Sequence, residues 1–129
     1  MISQDALGGI VLFSRNIDNP EQVAELIREV KSYERKESKL LVCVDQEGGR
    51  VVRLRSPLTA LPPARKFGVL DDEDLTKNAG NLVGRELTAL GFNVNFAPVL
   101  DVDTNPDSPI IGDRSYDDTP KKVVDARPI

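Results

Sequence analysis

The sequence predicts an α/β fold built on a parallel sheet, and three observations carry that expectation. Two short continuous apolar runs (GIVLF at Gly9–Phe13, LLVCV at Leu40–Val44) and a third strand region (FNVNFAPVLDV at Phe92–Val102) alternate with segments of helical periodicity. The runs are bounded by glycine, proline and acidic residues, the pattern of strands buried on both faces. Helical segments between consecutive strands imply crossover units, which are parallel and right-handed.

Taken in order, Gly9–Phe13 follows a glycine pair and is the first expected strand, with Ser14–Asn19 a polar loop. Asn19 suits a helix cap, Pro20 the first helical position, and Gln22 the capping-box position three residues on. Val23, Leu26, Ile27 and Val30 then recur at helical spacing, so this helix is expected to run to about Lys36, with Lys31–Lys39 an exposed end. Leu40–Val44 is the second strand and ends on Asp45. From Gln46 to about Leu70 no periodicity convinces, although Val51–Leu54 suits a short extended piece. Gly48-Gly49, Pro57 and Pro62-Pro63 punctuate this stretch, and long segments of that kind inside a compact domain are usually functional. Pro62-Pro63 and Phe67 read as shaping the loop.

A second helix fits from about Asp72 to Leu90, with Leu75, Ala79, Leu82, Val83, Leu87 and Leu90 inward and Gly91 as its cap. Gly80 and Gly84 each cost helix propensity of roughly 1 kcal/mol against alanine, so close packing of this helix on the sheet is expected. Phe92–Val102 is the third strand region and ends on Asp101 and Asp103. Thr119-Pro120 begins another helix, with Asp117-Asp118 favourable at its positive end. About three strands, two complete helices and a partial third close no common parallel architecture, and a barrel of eight such units needs about 250 residues. One incomplete domain over residues 1–129 is the expectation.

Composition narrows the chemistry. The chain is 40 % apolar and 29 % charged, with a net charge of -4, no histidine and one cysteine. Scattered basic residues in an acidic chain argue against a nucleic-acid partner. The absence of histidine removes imidazole acid/base chemistry and imidazole metal ligation from within the chain. Cys43 cannot form an internal disulfide and reads as a small buried thiol. No cofactor or metal is expected. The segment MISQDALGGIVLF has no basic stretch before its apolar run, so no signal peptide is visible. No run approaches the roughly 20 apolar residues of a membrane span. Cellular location is left open, leaning cytoplasmic.

In parallel α/β sheets the C-terminal strand ends carry the site. Asp45, Glu47, Asp101 and Asp103 fall there, and Arg50, Arg53 and Arg114 are candidate partners for a carboxylate at the edge of an apolar core. Such an array suits a sugar, since carboxylates accept from adjacent hydroxyls and arginine forks donate to them. Gly48-Gly49 allows a sharp turn or close approach to a ligand. Simpler roles stay open on spacing alone. Asp45 fits a loop acid or cap, and Glu47 a partner of Arg50. Asp101 and Asp103 fit acceptors for loop amides, and Arg114 a partner of Asp113 or Asp117. The four acids also suit a divalent-cation site of oxygen ligands.

At these same residues the chain resembles glycoside hydrolase family 3, in particular its β-N-acetylhexosaminidase branch. The matching stretches are GGIVLFSRNI (Gly8–Ile17), VDQEGGRVVRL (Val44–Leu54), LPPA (Leu61–Ala64), GFNVNFAPVLDV (Gly91–Val102) and IGDRSY (Ile111–Tyr116), in the family's order. The resemblance implies a (β/α)8 TIM-type barrel and exo-removal of a terminal β-linked N-acetylglucosamine from a carbohydrate, as in cell-wall recycling. It places Asp45, Arg53 and Arg114 on positions that bind the terminal sugar's hydroxyls, and Asp101 close to the same pocket. It assigns Glu47 no catalytic role. The family's strand and helix that precede GGIVLF are not present. Its Lys-His-Pro-Gly-His-Gly-type stretch, acid/base histidine and nucleophilic aspartate would fall beyond Ile129, so no catalytic residue is expected here.

Retaining hydrolysis needs a nucleophile and a proton donor flanking the scissile bond. Asp45 with Asp101 is the only pair available, and the resemblance assigns Asp45 to binding. The chain is therefore expected to carry part of a sugar site and to be inactive alone. The alternatives are a β-glucosidase-type member, or a half-barrel that assembles through exposed edges with itself or with a complementary chain.

Overall fold

The computed structural model describes residues 7–34 and 39–126. Its elements are β1 (Gly9–Leu12), α1 (Pro20–Lys31), β2 (Leu41–Val44), α2 (Ala64–Leu70), α3 (Glu73–Leu90), β3 (Val94–Asn95) and α4 (Pro120–Asp125). Single 3-10 turns occupy Ser14–Asn16 and Gly112–Arg114. The strands form a parallel sheet in the order β1-β2-β3, with Gly9 beside Leu41, Leu12 beside Val44 and Cys43 beside Val94. No helix among the described residues is long and apolar enough to cross a membrane.

Strand alternation decides what the sheet buries. Ile10, Leu12, Val42 and Val44 point to one face, where they meet Val23 and Ile27 of α1 and Val83 and Leu87 of α3 in the main core. Two crossover helices on one face is the arrangement that right-handed βαβ units give. On the other side the expectation of burial holds at Cys43, 5 % exposed, and fails at Val11 and Leu41. Val11 and Leu41 remain 39 % and 50 % exposed, because no element among the described residues covers them.

The helix ends follow their local signals. Asn19 Oδ1 accepts from the Gln22 amide at 2.8 Å, and Pro20 opens α1. The Gln22 side chain reaches past the cap to the Asp18 amide at 3.1 Å, so the expected reciprocal box is displaced by one residue. α1 ends at Lys31, short of the expected Lys36, which lies outside the described residues. Gly91 closes α3 at φ 100°, as expected, and Asp72, expected as its first residue, instead caps it by accepting from the Leu75 amide at 2.9 Å.

The inward arc of α3 differs from expectation. Thr76, Val83 and Leu87 are buried, whereas Leu75 and Leu82 stay 41 % and 45 % exposed. Each of those leucines precedes a buried residue by one position, about 100° around the helix. Gly84 does not permit close packing either, since a Cβ there would meet nothing within 4 Å.

Two elements depart from the sequence pattern. The helix α2 was not expected; its seven residues bury only Phe67, too short a run to show a period. Phe67 joins Tyr116, Val123 and Ala126 in a second core cluster, and Gly68 lets the helix backbone press against the Tyr116 carbonyl. β3 is two residues long where a run to Val102 was expected. Its pairing with β2 includes backbone bonds from the Asn93 and Phe96 amides to the Val42 and Val44 carbonyls, and side chains reinforce it. Asn93 Oδ1 accepts from the Val42 amide at 2.7 Å, and Asn95 Oδ1 from the Gln46 amide at 3.0 Å. Each asparagine also donates to a carbonyl flanking β2, that of Leu40 and of Gln46 respectively. Beyond Phe96, β2 has ended and Pro98 has no N–H to offer.

Candidate functional site

The site is built where β2 runs out. Alternation continues past Val44, so Asp45 and Glu47 project to one side and Gln46 to the other. Gln46 is 5 % exposed, and its amide is fully used: Oε1 accepts from the Arg53 and Leu54 amides at 2.9 and 3.0 Å, and Nε2 donates to the Leu54 carbonyl at 2.8 Å. A buried polar side chain needs such partners. The consequence is that the Arg53–Leu54 backbone is clamped beside the strand end. This residue carried no expected role, although its position between two acids on a strand end already placed it on the core side.

The Gly48-Gly49 pair supplies the turn that brings the chain back. Both have positive φ, 105° and 56°. A Cβ on Gly48 would stand 2.5 Å from the Pro62 carbonyl oxygen, and one on Gly49 would stand 2.8 Å from the Pro63 Cβ. The close approach is therefore to the Leu61–Pro63 segment of the same chain.

Asp45 finds its partner in Arg53, with Oδ2 at 3.0 Å from a terminal guanidinium nitrogen. Glu47 binds Arg114 in a two-pronged arrangement, Nε to Oε2 at 2.8 Å and a terminal nitrogen to Oε1 at 2.7 Å. The Glu47 side chain is 8 % exposed, so this fork is the most sheltered ion pair of the site. It replaces both simpler pairings, Glu47 with Arg50 and Arg114 with Asp113 or Asp117. Arg50 instead donates to the Pro109 and Ile110 carbonyls, both at 2.6 Å. The hydrogen bonds that Arg114 donates to Glu47 raise its pKa above the ordinary value; burial opposes this, and the charges of Glu47, Asp101 and Asp45 reinforce it. Asp45 and Asp101 thus stand close enough to act on one guanidinium.

Asp101 is exposed, and its backbone carbonyl accepts from the Ser115 hydroxyl at 2.6 Å. Its carboxylate makes no ion pair among the described residues. Asp103 is held apart by Arg65 at 2.7 Å. The four acids do not gather as a cation site: no group of three potential ligands forms among the described residues. Cys43 is buried, and burial pushes its thiol pKa up, away from nucleophilic thiolate.

An apolar cleft of about 360 Å³ opens beside the Glu47–Arg114 fork, floored by Leu61, Phe67 and Val83. Of the four candidate sugar-binding residues only Arg114 lines it. Two acid–arginine pairs side by side, with Asp101 nearby, can offer a polyhydroxylated ligand both acceptors and donors. None of these groups is a histidine, and neither pair has the geometry of a free nucleophile opposite a free proton donor.

The chain matches the glycosyl hydrolase family 3 N terminal domain over residues 1–126. A β-hexosaminidase of Methylococcus capsulatus is 44 % identical over 124 residues, covering 94 % of this chain and 36 % of that protein. A glycoside hydrolase family 3 β-N-acetylglucosaminidase from Paenibacillus sp. has a TM-score of 0.89 at 42 % identity, over 97 % of this chain and 24 % of that one. NagZ from Neisseria gonorrhoeae, solved with N-trifluoroacetyl-D-glucosamine, has a TM-score of 0.87 at 36 % identity, over 97 % and 38 % of the respective chains. The chain spans about 36 % of the length of the curated relatives it matches.

Proposed function

Since this chain belongs to glycosyl hydrolase family 3, its described βα units forming an arc of the (β/α)8 barrel, we propose that it carries part of a pocket for a terminal N-acetylglucosamine. Asp45 accepts from hydroxyls at the non-reducing end, Arg53 and Arg114 donate, and Asp101 lines the pocket's edge. The observation that supports this most is the adjacency of the Asp45–Arg53 and Glu47–Arg114 pairs at the end of β2. Each arginine is held by one carboxylate while keeping donors for a ligand, since a guanidinium has five N–H groups. The reaction class is retaining exo-hydrolysis of a β-linked N-acetylglucosaminide, with the nucleophile and the proton donor supplied from outside the 129 residues.

Calorimetric titration of the chain with N-acetylglucosamine tests the pocket. Binding that Asp45→Asn weakens at least tenfold is the expected result. Binding unaffected by Asp45→Asn removes the assignment, and stronger binding of glucose points to a β-glucosidase-type pocket. A chromogenic N-acetylglucosaminide should not be turned over, and turnover dependent on Asp45 or Asp101 would reverse the claim of inactivity.

A second reading rests on the open sheet face. Val11, Leu41 and Phe96 are 39 to 50 % exposed, and β1 and β3 each leave an unpaired edge among the described residues. Such surfaces favour association. Light scattering is expected to show species larger than one chain; a monodisperse monomer counts against it.

A further inference from the structure

Arg53 is held by less than its chemistry asks for. Its guanidinium makes one side-chain hydrogen bond, from a terminal nitrogen to Asp45, and its Nε is buried without a partner among the described residues. A single bond at the tip of a long side chain leaves the plane of the guanidinium free to tilt. The second constraint is Phe13, the first residue beyond β1, on the same side of the sheet as Val11. The Arg53 Cζ lies 5.7 Å from the centre of the Phe13 ring, within the range in which the ring's negative face attracts a cation. The ring also stands 4.9 Å from the Arg15 Cζ.

We propose that Phe13 is a positioning residue for Arg53: the ring fixes the guanidinium plane, so that the terminal N–H groups not used by Asp45 face the sugar. This rests on the sugar-pocket reading above. The end of β1 thus contributes to the site through Arg53. A ring 36 % exposed gains little core stabilisation from remaining aromatic, whereas its π-face accounts for the choice of residue.

Two measurements on the full chain test this. In titrations with N-acetylglucosamine, Phe13→Leu should weaken binding about fivefold, while Phe13→Tyr, which keeps the ring face, should stay within twofold. In an Arg53→Gln background, Phe13→Leu should cost nothing further; an equal loss there, or the same loss from Arg15→Gln, overturns the proposal. In the free chain, nitrogen-15 NMR should show a slowly exchanging Arg53 Nε–H in the wild type and in Phe13→Tyr, lost in Phe13→Leu. An Nε–H unchanged in Phe13→Leu overturns the proposal even if the wild type binds no sugar. Absence of sugar binding with the NMR result as expected would instead remove only the pocket assignment.

Discussion

Replacing Gln46 by leucine would measure how much of the site geometry depends on one buried amide. Leucine keeps the approximate volume and removes all three side-chain hydrogen bonds to Arg53 and Leu54. Leu54 is 2 % exposed, so its amide and carbonyl cannot turn to water. Each such stranded group costs about 1–3 kcal/mol. The Arg53 amide sits on a half-buried residue and can be rehydrated at small cost. Two stranded groups, less roughly 1 kcal/mol from burying an apolar side chain in place of an amide, give a loss of about 3 kcal/mol. That is a large part of the roughly 5–15 kcal/mol that stabilises a typical domain. With a urea dependence of about 2 kcal/mol per molar, the unfolding midpoint should fall by about 1.5 M. Urea unfolding followed by circular dichroism reads this directly. A loss below about 1 kcal/mol at unchanged slope would refute the claim that Gln46 clamps the Arg53 backbone.

Glu47→Gln keeps the shape of the Arg114 fork and removes its charge, so stability should drop by about 2 kcal/mol and N-acetylglucosamine affinity several-fold, as read by thermal unfolding and titration. Loss of stability with intact affinity would show that the fork holds the fold without orienting Arg114 for the sugar. The surrounding protein penalises the Asp117 charge, but hydrogen bonds from the Thr119 hydroxyl and amide, with Lys122 nearby, outweigh this and hold its pKa down to about 2. The unfolded chain therefore takes up this proton first, and the stabilisation, complete above about pH 4, is lost as pH falls through about 2. Asp117→Asn should flatten the fall in stability between those values, and an unchanged acid limb would exclude Asp117 as its source.

The alternation of elements was legible because burial imposes period. Val23 and Ile27 of α1, and Val42 and Val44 of β2, repeat at the spacing their elements require. Caps were legible for the same local reason: Asn19 and Gly91 act within three or four residues of themselves. The helix α2 was not legible, since seven residues burying only Phe67 carry no repeat. Nor was the length of β3, which depends on where its neighbour β2 stops.

For the site, the sequence by itself determined which charges stand at the strand ends, and the DQEGGRVVR and GDRSY motifs marked Asp45, Arg53 and Arg114 as candidate sugar-binding residues. Pairing was decided only in three dimensions. Glu47 and Arg114 are 67 positions apart, and nothing local distinguishes that fork from a contact between Glu47 and Arg50. The Arg53 carboxylate partner at Asp45 and its backbone clamp at Gln46 come from the end of β2, and its ring contact at Phe13 from the end of β1. Hydrophobic pattern and capping are decided by neighbours along the chain. Ion pairs and ring contacts are decided by which loops the folded sheet brings together, and that information exists only once β1, β2 and β3 are side by side.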